Sequence, residues 1–190
     1  MSNQQSITKR TSDPLTSSYS VAVSDFVRLL ATQLPGFSVG VDVPLNSDGQ
    51  WFIDVSGEEF SCSIVWRKSM GFGFFTGDLG YGDRPNEMYE QPDLAVKRAM
   101  QLAIQQRSGE PIAPAWLAEL RQLLEKPQTE MATLLSMTQS AVSRFESRED
   151  FKVQTLASYI EAMGGRLELR VHLPGMDIAI APPTVGRAVR

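Results

Sequence analysis

The first hydrophobic pattern in the chain is helical and covers residues 19–34. Apolar side chains there recur at spacings of three and four, which predicts an amphipathic helix with one face on a core. Ser24 and Asp25 can cap its first turn, and Pro35-Gly36 ends it. The apolar positions are Val23, Phe26, Val27, Leu30 and Leu34.

Between residues 37 and 75 the pattern changes to alternation. Four runs with every second side chain apolar predict four short strands, joined by tight turns as an antiparallel meander. A long loop is predicted over residues 76–92, followed by a helix from Leu94 to about Gln106 with Asp93 as its cap. Two helices are then available to cover one face of the sheet. The alternating positions are Phe37, Val39, Val41 and Val43; Trp51, Ile53 and Val55; Phe60, Cys62, Ile64 and Trp66; and Phe72, Phe74 and Phe75.

Helical spacing returns after a stretch with two prolines and a glycine, which predicts a linker. Four helices are predicted: one around residues 116–124, a second over 128–135, a third over 139–146, and a fourth from Val153 to Gly164-Gly165. The apolar side chains expected to face the core are Trp116, Leu117, Leu120, Leu123, Leu124, Met131, Leu134, Leu135, Val142, Phe145, Leu156, Tyr159, Ile160 and Met163.

Two further alternating runs flank Pro174-Gly175 and predict a two-stranded β-ribbon. Such a ribbon is marginally stable alone in water, so we expect another surface to cover it. We interpret it as the contact between two subunits; the alternative is that it packs back on its own chain. Its apolar positions are Leu167, Leu169, Val171, Met176, Ile178 and Ile180.

These elements predict an α+β protein. An N-terminal helix–antiparallel sheet–helix domain precedes an all-α domain that ends in a C-terminal β-ribbon. The predicted segments are a flexible arm (1–18), the α+β domain (19–107), a linker (108–114), the all-α domain (115–165), the ribbon (166–181) and a tail (182–190).

Composition adds little that is specific. The chain has 190 residues, of which 42% are hydrophobic and 21% charged, a normal globular mixture. The net charge of −4 argues against a generally basic coat protein for nucleic acid, although it allows local contacts to DNA. No apolar run is long enough to cross a bilayer, and the first residues are polar. We therefore expect a cytoplasmic protein that does not enter a membrane.

Candidate catalytic and metal-binding chemistry is sparse. Cys62 and His172 are the single residues of their types, so a metal site built on them is not expected. The predicted loop contains acidic residues that can be imagined as metal ligands or an acid–base pair, but no histidine joins them. We expect no cofactor, no metal and no enzymatic activity. These acidic residues are Asp78, Asp83, Glu87 and Glu90.

Residues 126–150, KPQTEMATLLSMTQSAVSRFESRED, resemble the Xre/Cro-like helix-turn-helix family of phage and bacterial repressors. The resemblance implies that Ala132 lies where two helices cross and that Met137 tucks under the turn. Two residues depart from the family pattern. Ser136 occupies a turn position that is most often glycine, and a positive φ there would strain it. Pro127 replaces the usual threonine cap.

The resemblance implies that the third helix enters the major groove of DNA. Because Val142 and Phe145 point inward, its other face is the outer one. We expect Gln139 to pair with adenine and Arg144 with guanine or phosphate. The remaining candidates are Thr138, Ser140 and Ser143 around the helix start, Gln128 against the DNA backbone as in the family, and Arg148 and Lys152 as phosphate contacts.

We therefore expect a sequence-specific regulator of transcription that acts as a repressor and binds double-stranded DNA as a homodimer. EAMGGRLELRV resembles the strand that pairs subunits in several antitoxins of this family. An alternative is thus an antitoxin whose residues 19–107 mask a toxin; otherwise that domain senses a small molecule or a protein. A weaker third class is an enzyme with a DNA-binding anchor.

Overall fold

The protein consists of two compact units, seen in a computed structural model. Unit 1 is Met1–Ala115 and unit 2 is Trp116–Arg190. The mixed α+β class is confirmed. The predicted arm and tail lie outside the described residues. The structure describes residues 20–46, 49–76, 84–109 and 113–180.

In its described residues, unit 1 is an antiparallel sheet with two helices on one of its faces. Its elements are α1 (Val21–Gln33), β1 (Ser38–Asp42), β2 (Trp51–Ser56), β3 (Ser61–Arg67), β4 (Gly71–Phe74), β5 (Glu87–Tyr89) and α2 (Pro92–Arg107). The strands lie in the order β1-β2-β3-β4-β5, so each pairs with its neighbour in sequence. This is the meander that short turns favour.

The core of unit 1 follows directly from the alternation in its strands. Every second side chain of β2 and β3 points to the helices, and Ile53 and Ile64 are fully buried there. From the helix side, Phe26 stacks on Phe72 with ring centroids 4.9 Å apart. Burial of such large apolar side chains is the main source of the unit's stability.

Three local predictions for unit 1 were wrong. Strand β5 lies within the stretch predicted as a long loop. Helix α1 begins after Ser20, one turn before the predicted caps Ser24 and Asp25, because its apolar face already begins at Val23. Helix α2 begins at Pro92, whose fixed φ suits a first helical position, and Asp93 lies in its first turn.

A buried ion pair joins β5, α2 and the end of unit 1. Arg98 on α2 is fully buried, and its Nε donates to Oε2 of Glu87 at 2.7 Å. Nη2 of Arg98 donates to the carbonyl of Ala113 at 2.7 Å. Oε1 of Glu87 accepts from the backbone N–H of Ala115 at 2.8 Å. One backbone group within the predicted linker and one directly after it are thus fixed by hydrogen bonds in unit 1; we call this arrangement the Arg98 clasp.

Over residues 116–180, unit 2 contains four short helices and a two-stranded ribbon. Its elements are α3 (Leu117–Leu123), α4 (Gln128–Leu134), α5 (Gln139–Glu146), α6 (Val153–Ala162), β6 (Leu169–Leu173) and β7 (Met176–Ile180). The observed bounds of α5 are the predicted ones. Its small core contains the side chains of Leu117, Met131, Ala132, Val142, Phe145, Tyr159 and Met163.

Several apolar side chains predicted for this core, or under its turn, remain at the surface. Trp116 is 47% exposed, Leu124 45%, Leu134 52% and Met137 39%. Short helices bury only a narrow stripe, and these residues lie at or beyond its margin. The backbone N–H of Met137 donates to the carbonyl of Ala132, yet its side chain does not tuck under the turn as predicted.

Ser136 has a φ of 54°, so the condition under which the sequence analysis expected strain at this turn position is met. We expect Ser136→Gly to raise the stability of unit 2 by up to about 1 kcal/mol, because glycine adopts this conformation without a Cβ clash. Thermal unfolding measures the change. Ser136→Ala keeps the strain and is the control; an equal gain from alanine would contradict the explanation.

Candidate nucleic-acid interface

Helices α4 and α5 form a compact pair around a short turn. The turn is closed by the N–H of Met137, which donates to the carbonyl of Ala132 at 2.8 Å. Ala132 is buried, so α5 approaches α4 over a small side chain. Thr138 then caps α5: its Oγ1 accepts from the N–H of Ala141 at 3.2 Å.

Helix α5 has one buried and one exposed face. Val142 is fully buried and Phe145 nearly so, and both pack in the core of unit 2. The opposite side is formed by residues at positions 139, 140, 143 and 144, which helical geometry places in one continuous stripe. All four predicted groove-facing side chains are exposed: Gln139, Ser140, Ser143 and Arg144.

Two more cations follow the exposed stripe. Arg148 lies just after α5, where its N–H donates to the carbonyl of Phe145, and Lys152 immediately precedes α6. Both side chains are exposed. Glu149 and Asp150 lie between them and reduce the local positive charge. Arg144, Arg148 and Lys152 together provide charged donors of the kind that bind phosphate.

Gln128 and Thr138 are committed to internal hydrogen bonds. Nε2 of Gln128 donates to Oε2 of Glu146 at 3.0 Å, and the residue is half-buried at the start of α4. This leaves one amide hydrogen of Gln128 for another acceptor. The sequence analysis expected only a contact from this side chain to the DNA backbone and did not predict the internal bond. Thr138 is exposed but serves first as the cap of α5.

A buried network of charged and polar side chains lies behind α5. It was not predicted from the sequence. Nε of Arg121 donates to Oε1 of Glu146 at 2.6 Å, and the Tyr159 hydroxyl donates to the same oxygen. Burial opposes ionisation of Glu146, but bonds from Arg121, Tyr159 and Gln128 outweigh it and hold its pKa below the ordinary value. Burial and the Glu146 carboxylate raise the pKa of Tyr159.

This network ties together α3, α4, α5 and α6, so it fixes the orientation of the exposed stripe. One signal in the sequence points to it. Glu146 lies four residues after Val142, and Arg121 lies four after Leu117, so both charges occupy core-facing positions. A charged side chain on an apolar stripe needs a partner when buried.

The acidic residues considered for catalysis do not form a site in the described part of the chain. Glu87 belongs to the Arg98 clasp, Glu90 is exposed, and Asp78 and Asp83 lie outside the described residues. Within the described ranges no group of acidic, histidine or cysteine side chains could hold a metal ion. Burial raises the pKa of the Cys62 thiol to about 12, which leaves it unreactive.

The described helices include none with the length and apolar character needed to cross a membrane.

No family model and no curated protein matches the chain. Among solved structures, it is similar to a HigA antitoxin whose structure is described as “Induced DNA bending by unique dimerization of HigA antitoxin”. The match has 28% identity, covers 36% of this chain and 92% of that chain, and has a TM-score of 0.33. This score is too low to indicate a shared overall fold.

Proposed function

We propose that this protein is a sequence-specific, duplex-DNA-binding regulator of transcription of the Xre/Cro-like class, acting as a repressor. The observation that carries the proposal is the two-faced helix α5. Its inner face is anchored by Val142 and Phe145, and its outer face exposes polar side chains at and beyond its N-terminus. A helix presented in this way fits the major groove.

The exposed side chains have distinct roles in this proposal. Gln139 and Arg144 read base edges, because amide and guanidinium groups can each make two hydrogen bonds to one base. Ser140 and Ser143 contribute nearby contacts. Arg148 and Lys152 bind phosphates and fix the register of the protein on the duplex. Such a regulator is a cytoplasmic protein and needs neither a cofactor nor a catalytic step.

We expect Arg144→Ala to weaken binding to a selected DNA site by about 1–3 kcal/mol and to relax the preference at one base pair. The site is first obtained by selection from a random duplex pool with the full-length protein. Affinity is then measured for that site and for a scrambled duplex at fixed salt concentration.

Arg148→Ala is the matched control, since the same charge is removed outside the helix. It should weaken binding to both duplexes alike and reduce the salt dependence. If Arg144→Ala binds the selected site as tightly as the wild type, the assignment of α5 to the groove is wrong. If no sequence is enriched from the pool, sequence-specific binding itself is contradicted.

We infer that the ribbon joins two copies of the chain. Leu169 pairs with Ile180, and Val171 with Ile178, so their side chains share one face. On that face Ile178 and Ile180 are 47% and 46% exposed, and no ribbon residue belongs to the described core of unit 2. A ribbon with one uncovered apolar face is marginal by itself.

A chain that ends at Gly165 is therefore expected to be monomeric where the full-length protein is dimeric. It should also bind a full palindromic site much more weakly, because two half-sites are no longer read together. Sedimentation of both chains over a concentration series measures the change. The double variant Leu173→Ser/Ile178→Ser tests the same face without truncation. If both the truncated chain and the double variant remain dimeric, the contact between subunits does not lie on the ribbon.

Within this proposal, masking of a toxin by unit 1, as the antitoxin alternative requires, remains a prediction from the sequence.

A further inference from the structure

The face of the sheet opposite α1 and α2 carries an apolar row in unit 1. The strand register brings Phe52, Val65, Gly73 and Met88 side by side across β2, β3, β4 and β5. Phe52 is 46% exposed and Met88 is 39% exposed. A solvent-facing position on an antiparallel sheet is ordinarily polar, so this row is unusual for a surface.

The row forms the floor of a groove with a volume of about 780 Å³. Pro85 gives it a wall: a Cβ added to Gly73 would meet Cγ of Pro85 at 2.6 Å, so the proline ring lies directly on the strand. Phe75 and Met70 extend the apolar lining. The volume lies in the range of sites that take small organic molecules.

Two arginines line the same groove. Arg67 stands on β3 and Arg84 precedes Pro85; both are exposed at the groove, and no acidic side chain is among its described lining. No hydrogen bond or ion pair joins either guanidinium to another described residue. On this face the strand register places Asp42 beside Phe52, and Asp54 on β2 accepts a hydrogen bond from Ser63 at 2.6 Å. The groove thus combines an apolar floor with two arginines and no acidic side chain in its described lining.

We propose that this groove binds a small amphipathic anion, with an alkyl or aromatic body and a carboxylate or similar head. The body lies on Phe52, Val65 and Met88, where it removes apolar surface from water. The head is held by Arg67 and Arg84, whose guanidinium groups match the planar geometry of a carboxylate. Asp42 and Asp54 on this face, together with the net charge of −4 of the chain, make a polyanion such as RNA a poor occupant.

The experiment uses decanoate as the anionic probe and decanol as its neutral counterpart, both below the concentrations at which they aggregate. The full-length protein carries methyl-labelled methionine and is studied without DNA, so failure here is distinct from failure of the DNA-binding proposal. Decanoate should shift the methyl resonances of Met70 and Met88 and leave that of the buried Met131 in place. Decanol should bind at least fivefold more weakly.

The double variant Arg67→Gln/Arg84→Gln should raise the dissociation constant for decanoate about five- to tenfold, as expected for two partly exposed charges. Phe52→Ser should weaken binding of decanoate and decanol alike, because it removes floor rather than charge. Arg28→Gln, on the exposed side of α1, is the control and should have no effect. Equal affinity for decanoate and decanol, no loss in the double variant, or unshifted Met70 and Met88 would each overturn the proposal.

Discussion

Glu146→Ala is expected to lower the free energy of unfolding of unit 2 by about 3–5 kcal/mol. The side chain of Glu146 is only 4% exposed and accepts from Arg121, Tyr159 and Gln128. Alanine leaves the Arg121 guanidinium buried without its partner and the tyrosine hydroxyl without its acceptor. The loss reflects these abandoned groups more than the strength of the original ion pair.

The double variant Arg121→Met/Glu146→Leu separates these causes, because it removes both charges and fills their space. It should recover most of the lost stability. Denaturant unfolding, followed by circular dichroism, measures the wild type, the single variant and the double variant. A double variant as unstable as Glu146→Ala would show that packing, rather than an unpaired charge, causes the loss.

The pH dependence of unit 2 gives a second measure of the same network. The pKa of Glu146 is lower in the folded protein than its ordinary value of 4.5, so ionised Glu146 stabilises the fold above that value. This contribution is lost as the pH falls through the folded-state pKa. The wild type should therefore lose more stability on acidification than Arg121→Met/Glu146→Leu does.

Arg98→Met is expected to destabilise unit 1 by a similar amount, about 3–5 kcal/mol. Glu87 would keep its buried carboxylate without the guanidinium, and the carbonyl of Ala113 would lose its donor. In a Trp116→Phe background, fluorescence of the buried Trp51 and Trp66 reports unfolding of unit 1. Arg28→Met, at an exposed ion pair, should change stability by less than about 1 kcal/mol.

Two results would contradict this expectation. One is an Arg98→Met protein as stable as the wild type, which would mean that the clasp contributes nothing. The other is an equal loss in Arg28→Met, which would mean that the effect comes from net charge.

The pKa of Glu87 is also lowered, since bonds from Arg98 and Tyr89 outweigh the opposing effect of burial. Arg98→Met should accordingly weaken the loss of stability on acidification.

The apolar pattern predicted most of the architecture because burial and spacing are directly linked. Strand β2 alternates between buried and more exposed side chains, and α5 has both an apolar stripe and a threonine cap, so the bounds of α5 could be predicted. Strand β5 could not. Its side chains that face the core are Glu87 and Tyr89, and Met88 faces outward, which inverts the usual pattern. The glutamate is tolerated there because Arg98 on α2 supplies the opposite charge and Tyr89 and the Ala115 N–H donate further hydrogen bonds.

The exposed face of the candidate interface was also predictable from spacing and burial, but the long-range ion pair behind it was not. Helical geometry assigned Gln139, Ser140 and Arg144 to an outer face once Val142 and Phe145 were placed inside. The partner of Glu146 is 25 residues away in the sequence, and no local spacing shows that pairing. Long-range contacts between charged side chains depend on how helices pack, and periodicity does not report that.

The Arg98 clasp also determines where this protein can be cut and recombined. A domain boundary drawn from composition would fall within residues 108–114, the predicted linker that contains two prolines and a glycine. Ala113 and Ala115, however, supply a carbonyl and an N–H that complete the interior of unit 1. A fragment ending before them would expose Arg98 and Glu87 to water. A chimera in which unit 2 is replaced should therefore retain the native chain through Ala115 and join the new segment at Trp116.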